Sequence, residues 1–149
     1  MPEAVATLLY LVPLGAIAVY DVRTLRAPNR YVYPLIGLAV LASLTVYRLD
    51  ASEALLGGLV AFGILFGVAT IGRGALGFGD VKYGLVCGIA VGLQGVLPML
   101  VFSFFAGGLV AAVVLVMKLR RGRDVVAFTP FLFAGVLFAF AWSQPYLVT

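Results

Sequence analysis

The chain has 149 residues, 64% of them hydrophobic and 11% charged, with a mean hydropathy of +1.17 and a formal net charge of +4. That balance lies far outside the range of soluble globular proteins and marks a polytopic membrane protein, read as a single domain over residues 1–149. With no histidine and one cysteine, Cys87, a disulfide framework, a Cys/His metal cluster and histidine-dependent catalysis within one chain are all excluded.

Apolar runs separated by charged or glycine-rich breaks predict an all-α bundle of about six transmembrane helices. The first runs from about Ala4 to Tyr20, with Pro13 as a kink. Its acidic flank at Glu3 and the absence of a small-residue cleavage site argue against a signal peptide. The second covers about Tyr31 to Tyr47, and the third starts at Glu53 or Ala54 and ends near Ile71. A fourth opens near Val81 and is short, because Gly92, Gln94 and Gly95 interrupt it. The fifth runs from about Val96 to Met117, with Pro98 in its first turn, where a missing N–H does no harm. The last opens at Thr129-Pro130, read as an N-cap and N1 pair, and ends near Trp142.

Charge parity decides whether the short fourth span is counted. With it, all of the ten basic residues except Arg48 fall on one side of the membrane. Without it, the cluster from Lys118 to Arg123 moves to the opposite face. The positive-inside rule therefore favours six spans, both termini on the outer side and the basic loops in the cytoplasm. The net charge reads as an orientation signal and a contact with the lipid bilayer, not as a nucleic-acid surface. Glycines at Gly57-Gly58, Gly63, Gly67, Gly84, Gly88, Gly92 and Gly107-Gly108 read as close helix packing.

Chemistry is left to carboxylates, hydroxyls and amines, with no metal or cofactor expected. Of the six acidic residues, Glu3, Asp50 and Glu53 lie outside and Asp124 follows a basic run. The other two are Asp21, ending the first span, and Asp80, opening the fourth after Gly77-Phe78-Gly79. The two spans between them go out and come back, so both carboxylates return to the cytoplasmic boundary. Taken alone, Asp21 is a solvated helix end and the Gly-Phe-Gly-Asp turn a tight connection. As a pair at one depth they suit acid–base chemistry, because two adjacent carboxyls resist double ionisation. One can then take a proton from water while the other donates to a carbonyl oxygen. Gly77 and Gly79 are expected to free the backbone for positive φ beside the aspartate. Lys82 and Arg26 are candidates for holding a substrate backbone or lipid headgroups.

Gly77-Phe78-Gly79-Asp80-Val81-Lys82 resembles the GxGD signature of the type IV prepilin peptidases, a family that includes the archaeal preflagellin peptidases. Asp21 through Asn29, with Arg26 and Pro28, is similar to that family's first-aspartate motif, although Ala27 stands where a larger aliphatic residue is usual. Phe128-Thr129-Pro130-Phe131 is a weaker likeness to its last-helix opening. The resemblance implies a membrane aspartyl endopeptidase with Asp21 and Asp80 as the catalytic pair. Gly77, Gly79, Lys82, Arg26, Pro28 and Asn29 then support it as motif residues. It also implies partners that are prepilin-like or archaellin-like precursors carrying short basic leaders. The N-terminal and cysteine-rich portions of larger bifunctional members are missing from this sequence, so the expectation is cleavage without N-methyl transfer. The competing classes are a silent membrane scaffold of a pilus or secretion assembly, and a small proton-coupled transporter.

Overall fold

A computed structural model describes residues 2–24, 29–45, 50–73, 76–118 and 127–142, and all of its regular elements are helices. They are α1 (Pro2–Thr24), α2 (Asn29–Thr45), α3 (Ala51–Ile71), α4 (Phe78–Val116) and α5 (Thr129–Trp142). Helix α1 continues past Tyr20, so Asp21 sits inside its last turns rather than beyond its end.

Helix α4 spans both the fourth and the fifth predicted segments. At 1.5 Å per residue an unbroken helix of 39 residues would reach roughly 58 Å, about twice an apolar bilayer core. It is broken at Gly92, whose φ of 69° and ψ of 179° are open to glycine and strongly disfavoured for other residues. Contacts with α5 show where the two arms go. Asp80 meets Thr129 at the start of α5, and Gly95 faces Ala139 near its end. On the return, Phe102 stacks on Phe138 at 4.6 Å, and Gly107 faces Phe128. The first arm therefore runs along α5 and the second runs back against it.

Helix α3 makes the most extensive contact with α4. A Cβ on Gly57 would lie 2.5 Å from the Gly88 carbonyl oxygen, and one on Gly88 would lie 2.5 Å from that of Gly57. The two backbones touch here, as small residues at a helix crossing allow. Gly63, Gly67 and Gly108, grouped with these in the sequence pattern, face open space and take no part in the crossing.

The core gathers Leu14, Val32, Leu65, Val81, Tyr83, Val86, Met99, Leu132 and Val136. Outside it the surface is apolar: Leu59, Val101 and Phe105 are 61%, 68% and 71% exposed. An outer face of this kind is normally covered by lipid or by protein. Among the described residues two helices, Ala51–Ile71 and Phe78–Val116, are long and apolar enough to cross a membrane.

Because the Gly57–Gly88 crossing is backbone against backbone, no rotamer change can relieve an added side chain. Gly88→Val is expected to destabilise the fold by about 3 kcal/mol, the upper end for overpacking, read by unfolding in detergent. A loss under about 1 kcal/mol would mean that the helices do not cross at this point.

Candidate active site

The loop before α4 ends at Leu76, which is buried, and Gly77 takes the N-cap position with extended backbone, φ −70° and ψ 147°. Helix α4 begins at Phe78, so Gly79 and Asp80 belong to its first turn. The expectation of positive φ at Gly77 and Gly79 is corrected: among the glycines with described backbone, positive φ occurs at Gly92. What Gly77 provides is space. A Cβ there would come within 3.3 Å of Asp80 Oδ2, closer than ordinary contacts. Asp80 stands at N3 and accepts a hydrogen bond from the Gly77 amide, the return half of a capping box.

Helix α5 supplies the other side. Its N-cap is Phe128, whose carbonyl accepts from the amides of Phe131 and Leu132, at 3.0 and 3.1 Å. Thr129 is therefore not the cap, as the Thr-Pro pair suggests, but the first helical residue, and its hydroxyl is free to turn inward. Oγ1 lies 2.6 Å from Asp21 Oδ2 and 2.6 Å from Asp80 Oδ1. Thr129 is fully buried, and Asp21 and Asp80 are 4% and 6% exposed. The Thr129 amide also donates to the Asp80 carboxylate. Amides at the starts of two helices thus converge on the Asp80 carboxylate.

The elements explain why a third residue is needed. Among the described residues α1 packs on α2 and α5, while α4 packs on α2, α3 and α5. Helices α1 and α4 make no close backbone approach, and both α2 and α5 pack against each of them. Tyr83, fully buried one turn after Asp80, crosses that gap and donates its hydroxyl to the Leu14 carbonyl at 2.7 Å. Its bond sets the depth of α1 against α4, and with it the level of Asp21 relative to Asp80.

The remaining motif residues lie elsewhere. Lys82 reaches α2, with Nζ 3.3 Å from the Tyr33 hydroxyl and 5.1 Å from the centre of the Phe78 ring. It sits among aromatic faces that favour a cation. Asn29 opens α2; Arg26 and Pro28 lie outside the described residues, as does the Asn29 side chain. Among the described residues there is no cluster of metal-binding side chains, and no buried side-chain polar atom is left without a partner.

Two aspartates from separate helices, joined at one buried hydroxyl, coincide with a family match over residues 8–112 to the type IV leader peptidases. The chain belongs to the type IV leader peptidase family. Its relatives include the prepilin leader peptidase/N-methyltransferases of Xanthomonas campestris pv. campestris, Escherichia coli and Bacillus subtilis. The first is 28% identical over 88% of this chain and 47% of its own length. The second is 29% identical over 87% of this chain and 60% of its own length, and the third 31% identical over 95% and 57%. This leader-peptidase-family chain spans about half the length of those relatives. No solved structure matches it significantly.

Sequence reasoning named Thr129 as a helix opening within the third, weaker likeness but gave neither Thr129 nor Tyr83 a place in the site. A signal for Thr129 was available, since a hydroxyl that opens the last span falls, by the parity of crossings, at the same boundary as both acids. Tyr83 offers no such signal, because an aromatic residue in an apolar helix reads as packing. Tyr83→Phe keeps the ring and removes one buried hydrogen bond, so a loss of about 1 kcal/mol in equilibrium unfolding is expected. A variant as stable as the wild type would show that this bond does not anchor α1.

Proposed function

We propose that this protein is a membrane aspartyl endopeptidase that removes short basic leader peptides from prepilin-like or archaellin-like precursors. The observation that carries the reading is the approach of Asp21 and Asp80 to one buried hydroxyl, inside a family whose relatives are named for prepilin leader cleavage. In the mechanism one carboxylate takes a proton from water as the water oxygen bonds to the scissile carbonyl carbon. The second carboxyl, protonated, donates to the carbonyl oxygen as charge builds there. Collapse of the tetrahedral intermediate breaks the C–N bond, and the proton gained from water passes to the leaving amine.

We read the two arms of α4 as separate crossings, making six spans with both termini outside. The end of α1 and the starts of α4 and α5 then lie at the cytoplasmic face of the cell membrane, beside Arg23, Arg73 and Lys118. A scissile bond just outside the apolar helix of a precursor suits that depth. The basic loops repel a basic leader, so they serve orientation and contact with anionic lipid.

Asp21→Asn and Asp80→Asn remove the ionisable groups while keeping their size. Each is expected to slow cleavage of a co-expressed precursor at least about a hundredfold, read from precursor size on gels. Normal processing by either variant sinks the two-aspartate mechanism. Orientation has its own test with a membrane-impermeant maleimide added outside intact cells. Ser52→Cys, exposed at the start of α3, is expected to label and Lys118→Cys is not, while Cys87 is buried. The reverse pattern would invert the topology.

A further inference from the structure

A hydroxyl has one hydrogen, and Thr129 Oγ1 has two carboxylate oxygens at 2.6 Å. It donates to one of them. The other contact is a hydrogen bond only when that carboxyl carries a hydrogen and the threonine oxygen accepts it. The bridge is therefore complete when one proton is held by the pair, which is the starting state of the mechanism above, and it loses one of its two bonds when both carboxyls are ionised. The Asp80 side is held three times, by the amides of Gly77 and Thr129 and by the Thr129 hydroxyl. On the Asp21 side, the described hydrogen-bond partner is Thr129. The described hydrogen-bond link between the two carboxyls runs through Thr129 of α5.

From this geometry we infer that Thr129 is a positioning residue of the peptidase site, its hydroxyl bridging Asp21 and Asp80 and orienting the pair for the singly protonated state. The inference rests on the two-aspartate reading and adds to it a residue from a third helix. Threonine suits the task. Its branched Cβ has few rotamers, which limits the positions its hydroxyl can take. As the first residue of α5 it also has an amide free of intrahelical bonding, which reaches Asp80.

The test compares Thr129→Val, which keeps the shape and removes the hydroxyl, with Thr129→Ser, which keeps the hydroxyl. Both are made in the full chain, purified in detergent, and assayed on a precursor with a short basic leader ahead of an apolar helix. Thr129→Val is expected to lower kcat about ten- to a hundredfold, the range for losing a hydrogen bond to a charged group, with KM within about twofold. Thr129→Ser is expected to return kcat to within about threefold of wild type. A merely structural role would instead lower stability in both and move KM with kcat. Should the valine variant fail to fold, Thr129→Ala carries the same comparison.

Asp21→Asn and Asp80→Asn run alongside. If they still cleave, the two-aspartate reading fails. If they are inactive while Thr129→Val turns over at the wild-type kcat, or if serine is as impaired as valine, only the role of Thr129 is overturned. Infrared spectroscopy gives a readout that needs no substrate. The protonated carboxyl C=O band is expected to shift in Thr129→Val and not in Thr129→Ser, and an unmoved band in valine counts against the bridge.

Discussion

Two carboxyl groups taken out of water must find hydrogen-bond donors, and that requirement organises the centre of this protein. An isolated buried carboxylate would cost several kcal/mol or take up a proton. Here the donors come from helix starts, where amides without intrahelical partners are available. Gly77 caps α4 and offers its amide to Asp80, and α5 begins beside it with the amide and hydroxyl of Thr129. The same hydroxyl receives Asp21 from the far side. Three helices meet at one oxygen atom, and any shift of α5 moves both acids.

The rest of the architecture serves to bring those helix ends together. Helix α4 has to begin beside Asp21 and still fill the bundle, and the break at Gly92 lets its arms run in opposite directions along α5. Helix α3 is locked to the first arm where Gly57 meets Gly88, a contact that holds the start of α4 at a defined height. Tyr83 then ties the same arm to α1 through the Leu14 carbonyl. Each contact lies within a few turns of the aspartates, so an error in register at any of them displaces one carboxyl relative to the other.

The apolar exterior gives these contacts their weight. Where lipid covers the outside, burying hydrocarbon between helices adds little, and close packing and internal hydrogen bonds decide which helices associate. The Gly57–Gly88 crossing and the Tyr83–Leu14 bond are interactions of that kind. A site at the starts of helices also keeps its polar atoms near the end of the bundle, where water and an extended peptide segment can reach it more readily than at mid-depth.

What the chain reveals by itself is its composition, its helical apolar runs and its chemical inventory. Long apolar runs dictate helices because no other open-chain structure satisfies its backbone within lipid. Without histidine the acids become the candidates for the chemistry, and the expected out-and-back spans between them predict Asp21 and Asp80 at one boundary. The stretches around the two aspartates resemble the motifs of the type IV prepilin peptidases, and the family match over residues 8–112 bears that resemblance out. The sequence was a poorer guide to why particular residues are there. Gly77 is small to make room for a carboxylate, not to adopt positive φ, and the glycine that needs positive φ is Gly92. Thr129 reads as a helix cap until α5 is packed against α1 and α4. Lys82, inside the motif, turns to the aromatic rings of Tyr33 and Phe78. The physical reason is common to all three: periodicity and charge report which residues share a depth or a helix, whereas the direction of a side chain is set by the helix packed against it. Sequence alone determined two acids at one level of a helical bundle, and only the tertiary structure decided that a third helix would join them through a single hydroxyl.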